Sequence, residues 1–143
     1  MTDAPRAPAA ASYAGRTKYD APGRAARYTR RSARRDAEER ALLSRVVPAA
    51  TPGATALDVP CGVGRLTAFL LERGYRVRGA DLSAAMREGA EAALTARAGW
   101  LGAEPLDLEA PPSATAATYD LVLCFRFLHH LPDAAARARV FRS

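Results

Sequence analysis

The residues best suited to chemistry lie in the stretch LDVPCGVGR, at positions 57 to 65. Asp58 follows an apolar segment, and Gly62 and Gly64 form a turn just before a helical pattern begins. Glycine permits left-handed backbone conformations and close approach of a ligand. A helix that starts at such a turn directs unpaired N–H groups at the bound molecule. The stretch therefore predicts a cradle for a small molecule.

Four apolar strand patterns alternate with helical patterns around this turn. We predict strands over residues 55–59, 75–80, 100–106 and 119–125, and helices over 34–47, from 65 to Gly74, from Ser83 to Gly99, and from a cap at Asp133. Such alternation predicts βαβ units with right-handed crossovers, and hence an α/β fold with a doubly wound, mostly parallel sheet. The run YDLVLCF is apolar on both faces, which is typical of a strand inside a parallel sheet.

Several polar residues follow the predicted strands. Ligands of doubly wound sheets bind beyond the carboxyl ends of the strands, and Asp58, Asp81, Asp107 and Cys124 all fall there, together with the glycine turn. Asp81 is placed to accept hydrogen bonds from two ribose hydroxyls, although it can instead cap the next helix. Asp107 can likewise be an ordinary loop acid.

Two cofactors suit this arrangement, a dinucleotide and S-adenosyl-L-methionine. A carboxylate at Asp58 repels a pyrophosphate, but it accepts hydrogen bonds from an amino group and attracts a nearby cation such as a sulfonium. The dinucleotide fingerprint is also incomplete, because Thr67 stands where its third glycine would be. These residues favour S-adenosylmethionine and leave a nicotinamide-dependent oxidoreductase as an alternative.

Four segments now carry a family resemblance: LDVPCGVGR, GADLSAAM (79–86), LDLEAPP (106–112) and YDLVLCFRFLHHLPD (119–133). In this order and at these separations they resemble the signature segments of class I S-adenosylmethionine-dependent methyltransferases. The resemblance covers residues 34–143 and implies a Rossmann-like sheet, of which this chain supplies the first four strands in the order 3-2-1-4. Pro60 departs from the pattern, where glycine is more common, and it fixes a backbone angle within the cradle.

The resemblance also implies a set of site residues. Asp58, Cys61, Gly62 and Gly64 would line the methionine moiety, Asp81 and Leu82 would hold the ribose and the adenine edge, Asp107 and Leu108 would approach the adenine, and Cys124 and Phe125 would face the methyl group. The cofactor is already activated, so alignment of the acceptor supplies much of the rate effect.

His129 and His130 follow the fourth strand, at the mouth of the predicted site. Either can accept a proton from an oxygen or nitrogen acceptor, and His130 is the better candidate. The alternative is a loop histidine that only caps or packs.

The net charge of +6 is concentrated at the start of the chain. Residues 1–35 hold nine Lys and Arg against Asp3 and Asp20, and the remainder holds twelve against thirteen acids. We predict that residues 1–33 form a basic, disordered arm. Such an arm is usually a solvated leader, and docking on nucleic acid is an alternative without an accompanying motif.

The cysteine count and the apolar runs narrow the classes of protein that fit this sequence. Two cysteines without metal-type spacing predict no disulfide framework, no metal site and a reduced, cytoplasmic setting. No apolar run is long enough to span a membrane. With only four strands, residues 119–125 are expected at an open sheet edge where another chain can associate. We therefore expect residues 34–143 to be a truncated cofactor-binding domain, or a non-enzymatic fragment that keeps the pocket, and the sequence does not identify the methyl acceptor.

Overall fold

The computed structural model describes residues 18–30, 33–110 and 118–141. Within these ranges the chain forms four strands, five α-helices and one 3-10 turn. In chain order they are α1 (Arg24–Thr29), α2 (Ala33–Ser44), β1 (Thr55–Asp58), α3 (Arg65–Glu72), β2 (Arg76–Ala80), α4 (Ala84–Leu94), β3 (Trp100–Glu104), β4 (Leu121–Leu123), the 3-10 turn (Leu128–His130) and α5 (Ala134–Val140).

The four strands form one parallel sheet in the order β3-β2-β1-β4. This confirms the predicted α/β class and strand order. In the register of the sheet, Asp58 at the end of β1 is paired with Gly79 of β2 and with Leu123 of β4. The carboxyl end of the central strand is thus flanked on both sides, which is where ligands of such sheets bind.

Strand β4 is shorter than the predicted run over residues 119–125. It pairs with β1 only from Leu121 to Leu123 and lies at the edge of the described sheet, where Val122 is 56% exposed. Its last paired residue, Leu123, stands opposite Asp58, where β1 itself ends. The chain leaves the sheet after Leu123 and continues to the 3-10 turn, which the sequence pattern did not predict.

The main core lies between the sheet and helices α2 and α3. Its buried members are Leu43, Val47, Ala54, Ala56, Leu66, Phe69, Leu70, Tyr75, Val77 and Leu123. Helix α3 buries the predicted face, since its apolar residues recur three and four positions apart. Gly74 adopts a φ of 93° just beyond this helix, as predicted for a left-handed helix end.

Helix α2 buries a different face from the predicted one, on which Ala37, Ala41, Leu42 and Val46 recur at helical spacing. Leu42 and Val46 are 53% and 71% exposed, whereas Leu43 and Val47 are buried. The buried face continues toward the start of the helix as charged residues, which pair with Arg65 and Glu72 of α3. Ion pairs and two large side chains therefore orient α2, because the alanines of the expected face bury little area.

The predicted disorder of residues 1–33 is wrong for part of the arm. Residues 24–29 form α1, which packs against α4, and Tyr19 and Asp20 make hydrogen bonds with the body of the protein. These tertiary contacts hold a segment whose own sequence has no helical apolar period. Residues 1–17 lie outside the described residues.

No helix within the described ranges is both long and apolar enough to cross a membrane. The cytoplasmic setting inferred from the cysteines stays a prediction.

Candidate functional site

A cavity of about 320 Å³ opens at the carboxyl ends of β1 and β2. Seven of the residues predicted to bind a cofactor line it, together with both histidines: Asp58, Cys61, Gly62, Asp81, Leu82, Asp107, Leu108, His129 and His130. Its volume lies within the range of roughly 300 to 1,000 Å³ that is usual for small-molecule sites.

Asp58 is the most deeply buried acid of the cavity. It is the last residue of β1, it is 2% exposed, and its Oδ2 accepts a 2.6 Å hydrogen bond from the hydroxyl of Thr67. Burial raises the pKa of Asp58 to about 7; the Thr67 hydrogen bond opposes this rise, and the nearby charge of Asp81 adds to it. A cationic group in the cavity would stabilise the ionised form of this carboxyl.

Asp81 connects the two strand ends. Its Oδ2 accepts from the backbone N–H of Gly62 and its Oδ1 accepts from that of Ser83, both at 2.9 Å. Burial raises the pKa of Asp81, although these two hydrogen bonds oppose the rise. The N-cap of α4 is Ser83, whose hydroxyl accepts a hydrogen bond from the N–H of Met86. Asp81 is therefore not the N-cap itself, but it holds the backbone of the N-cap residue. Each carboxylate oxygen keeps a second lone pair for a ligand.

The two glycines of the turn have different surroundings. Gly62 lines the cavity, has a φ of 54°, and a β-carbon there would meet nothing within 4 Å. Gly64 has a φ of 82° and does not line the cavity; a β-carbon there would lie 2.5 Å from Cδ1 of Leu94. The absence of a side chain at Gly64 therefore allows close packing between the turn and α4, and its predicted contact with the ligand stays a prediction.

The two cysteines also differ. Cys61 is buried and lines the cavity, and burial raises the pKa of its thiol. Cys124 does not line the cavity; it packs against the second core cluster of Phe127, Leu131 and Ala136, and burial raises its pKa to about 11. Side chains alternate between the faces of an extended chain, so Phe125 reaches the cavity and Cys124 turns away. The structure thus does not bring Cys124 to the cavity with the other predicted residues, and its position near the methyl group stays a prediction.

The remaining predicted positions lie around the rim. Asp107 accepts a 3.0 Å hydrogen bond from the N–H of Glu109, and Leu82 is 38% exposed beside the opening. Pro60, which departs from the family pattern, follows a cis peptide bond and lines the same cavity. Cys61 and Gly62 still reach the cavity with proline at this position.

The arm contributes a wall of the cavity that the sequence analysis missed. Lys18, Tyr19 and Tyr28 all line it. The Tyr19 hydroxyl lies 2.9 Å from Nε2 of His130, and the Ser83 hydroxyl donates to Oδ1 of Asp20 at 2.6 Å. The only signal in the sequence was the interleaving of tyrosines with basic residues, and this pattern has no period that predicts a contact.

Positive charges surround His130. Burial lowers its pKa, and the charges of His129, Lys18 and Arg126 lower it further. Since a neutral imidazole is the form that accepts a proton, this environment suits a general base.

Arg65 and Arg126 extend the cavity toward α2. Arg65 pairs with Asp36 and with Glu39, and Arg126 donates to the other oxygen of Glu39 at 2.7 Å. Among the residues that the structure describes, no three His, Cys, Asp or Glu side chains converge as metal ligands would.

The sequence of this chain is similar to those of known methyltransferases. A family model described as "Methyltransferase domain" matches residues 57–143. The ubiquinone biosynthesis O-methyltransferase of Hahella chejuensis is 34% identical over 93 residues, which cover 62% of this chain and 37% of that protein. Its counterpart from Albidiferax ferrireducens is 35% identical over 61% of this chain and 35% of its own length. The chain thus spans about a third of the length of these curated relatives.

Solved structures resemble the whole described fold. The magnesium protoporphyrin IX methyltransferase from Synechocystis PCC 6803, solved with bound SAM, superposes with a TM-score of 0.67 at 22% identity, covering 94% of this chain and 71% of that one. The sugar N-methyltransferase KedS8 from Streptoalloteichus gives a TM-score of 0.56 at 25% identity, covering 99% of this chain and 51% of that one. The first of these likenesses bears on the fold alone.

Proposed function

The chain belongs to the methyltransferase domain family, as a class I member, and from this premise we propose that its cavity binds S-adenosyl-L-methionine for methyl transfer to an acceptor. Residues 34–143 would form the cofactor-binding unit. Residues 1–33 would be an arm, of which residues 18–28 complete the cavity wall. The named relatives methylate different atoms, oxygen in one case and nitrogen in another, so their names do not identify the acceptor of this chain.

One observation carries the proposal: two buried carboxyl groups, Asp58 and Asp81, line a single cavity at the ends of adjacent strands. Two acids that are buried in this way disfavour binding of a pyrophosphate and favour a ligand that carries a positive charge. S-adenosylmethionine carries both an ammonium and a sulfonium group. The residues present therefore fit this cofactor better than they fit a dinucleotide.

The cavity residues divide the cofactor among them in this proposal. Asp58 would hold the ammonium group, with Gly62 leaving room for the methionine chain. Asp81 would accept hydrogen bonds from the ribose hydroxyls with the lone pairs that Gly62 and Ser83 leave available. The rim residues Leu82, Asp107 and Leu108 would enclose the adenine.

When bound, the cofactor would supply a methyl group on a positively charged sulfur. This chain's own residues would orient the acceptor, exclude water and take up a proton. Phe125 lines the cavity beyond β4, where it can shield the reacting atoms from water. The Tyr19 hydroxyl now lies beside Nε2 of His130. Once this hydroxyl moves away, Nε2 would take up the proton from the oxygen or nitrogen atom that is methylated.

Calorimetric titration of the full chain tests the proposal. We expect S-adenosylhomocysteine to bind with one site per chain and NAD to give no heat of binding. Binding of NAD in preference would favour a nicotinamide-dependent oxidoreductase. Binding of neither ligand by the folded chain would overturn the proposed cofactor.

Activity is tested separately, because a module can keep the pocket without transferring methyl groups. Radiolabelled S-adenosylmethionine is incubated with the full chain and with an extract of small metabolites. Transfer of label to a compound in the extract, abolished by His130→Ala with retained cofactor binding, supports both the activity and the role of His130. Cofactor binding without any transfer would favour the non-enzymatic alternative.

A further inference from the structure

A second cavity, of about 260 Å³, lies next to the first and is lined by Arg24, Arg27, Tyr28, Arg35 and Arg126. We propose that this arginine cavity binds the anionic group of the methyl acceptor, a carboxylate or a phosphate carried by a small molecule. The inference rests on the proposed function, and it adds the substrate class that the cofactor site does not reveal.

Charge at this position favours an anion. Four of the five lining residues are arginines, whose planar guanidinium groups match carboxylate and phosphate oxygens with paired hydrogen bonds. Arg126 is paired with Glu39, and Arg65 pairs with the same carboxylate and with Asp36. Within the described residues, Arg24 and Arg27 have no ion pair with an acid. The cavity therefore keeps an excess of positive charge.

The arginine cavity borders the cofactor cavity. Tyr28 and Arg126 line both, so an anionic group held by Arg24 and Arg27 lies at the border of the space that His129 and His130 also line. The positive charge of Arg126 is already one cause of the lowered pKa of His130. A molecule anchored at the arginines would thus extend toward the proposed base and the methyl group.

The shape of this surface favours a small molecule over nucleic acid. The arginines come from α1, α2 and the segment after β4 and border one small, open depression, in which Arg27, Arg35 and Arg126 are exposed. Nucleic-acid binding relies instead on an extended basic surface with several stacking aromatic residues. Tyr28 is the one aromatic residue that lines the arginine cavity. This reading gives a function to three of the basic residues in the arm and α2 that create the charge excess of the chain.

The test uses two probe anions, inorganic pyrophosphate and malonate, titrated into the full chain by calorimetry in the presence of saturating S-adenosylhomocysteine. Pyrophosphate represents phosphate carriers and malonate represents carboxylates. We expect at least one to bind, and the double variant Arg24→Gln/Arg27→Gln to weaken it by at least about tenfold, since each arginine supplies a charge-assisted hydrogen bond. The probe that binds more tightly identifies the anionic group.

The matched control is Arg45→Gln/Arg139→Gln, which removes the same charge from two exposed positions outside both cavities. We expect it to bind the probe within about twofold of the parent chain, because only long-range charge is lost. Equal weakening in the control and in the cavity variant would overturn the proposal, and so would absence of binding by both probes. Thermal unfolding checks that each variant is folded.

Two further measurements separate this proposal from others. Titration of S-adenosylhomocysteine alone reports on the cofactor cavity, which neither Arg24 nor Arg27 lines. If that titration fails while the probe anion binds through the arginines, the proposed function fails and the anion site stands. A single-stranded oligonucleotide that binds through Arg24 and Arg27 when neither small anion does would overturn the small-molecule reading in favour of nucleic acid.

Discussion

The cofactor cavity has two walls that are held by different kinds of contact. The strand wall, comprising residues 58–62 and 81–83, is built on the ends of paired strands, and its two acids are 2% and 8% exposed. The arm wall comprises Lys18, Tyr19 and Tyr28 with residues 126–130. It is partly exposed; a hydrogen bond between Tyr19 and His130 joins its two segments, and the hydrogen bond from Ser83 to Asp20 connects it to the strand wall.

The two walls therefore differ in how closely they are tied to the stability of the fold. Residues of the strand wall support the fold and the cavity at once, because their polar groups satisfy backbone N–H groups that would otherwise be buried without partners. In the arm wall Phe127 is buried in the second core cluster, and we expect its more exposed members, Lys18 and Tyr19 among them, to change at less cost to folding. We infer that the strand wall determines which cofactor binds and that the arm wall adapts to the acceptor.

The largest effect is expected from Asp81→Ala in the strand wall. The variant leaves the N–H groups of Gly62 and Ser83 without their acceptor, so the free energy of unfolding should fall by about 3 kcal/mol. Binding of S-adenosylhomocysteine should weaken by about 100-fold, because two ribose hydrogen bonds are lost as well. Urea unfolding and calorimetry measure the two quantities.

Asp120→Ala is the matched control for Asp81→Ala. Asp120 also accepts a backbone hydrogen bond, from the N–H of Thr55 at 2.7 Å, but it is exposed and lies outside the cavity. Its removal should leave S-adenosylhomocysteine binding unchanged. If both variants lose affinity equally, Asp81 has no specific role in the site.

The second prediction compares the two glycines of the turn. Gly64→Ala places a β-carbon against Leu94 at a left-handed φ, and we expect it to lower the free energy of unfolding by about 2 to 3 kcal/mol. Gly62→Ala has open space and should cost only about 1 kcal/mol, while it obstructs the cavity and weakens S-adenosylhomocysteine. A larger loss of stability in Gly62→Ala than in Gly64→Ala would contradict the assignment of one glycine to packing and the other to the ligand.

The third prediction concerns pH and Asp58. Its pKa is about 7 in the folded chain and near 3.8 when unfolded, so the folded state holds the extra proton between these values. The contribution of Asp58 to stability is therefore greatest at low pH and decreases as the pH rises through this window. A cationic ligand favours the ionised carboxyl, so binding should release a proton and strengthen as the pH rises toward about 7.

Calorimetry in two buffers of different ionisation enthalpy measures this proton release, and the expected change in affinity is about tenfold between pH 6 and 7 at most. Asp58→Asn should abolish the release, because the amide does not titrate. Proton release that persists unchanged in Asp58→Asn would assign the titration to another group, such as His130.

The smallest effect is expected in the arm wall, from Tyr19→Phe. The variant removes the hydrogen bond to His130 and keeps the aromatic ring. The free energy of unfolding should therefore fall by about 1 kcal/mol or less, and the affinity for S-adenosylhomocysteine should change by no more than about threefold. Thermal unfolding and calorimetry check both. An effect as large as that of Asp81→Ala would show that the arm wall supports the fold, and the contrast between the walls would be lost.

The sequence by itself determined the sheet and the strand wall. The order 3-2-1-4 was implied by the family resemblance, and the structure confirms it. Short apolar segments, glycine turns and helix caps act over a few residues, so their patterns placed Asp58, Gly62 and Asp81 at strand ends. Ser83 and Asp133 also cap α4 and α5 as predicted. Each of these inferences depends on local backbone geometry that neighbouring residues fix.

Only the tertiary structure decided the arm wall, the buried face of α2 and the direction of Cys124. Tyr19 meets His130 across 111 positions of the chain, and no local pattern encodes such a contact. Helix α2 is oriented by ion pairs to α3 and by the buried Leu43 and Val47, not by the apolar residues of its predicted face. Cys124 follows the last residue of β4 and faces the second core cluster. In each case a partner distant in sequence selects among local arrangements that the sequence alone leaves nearly equal in free energy.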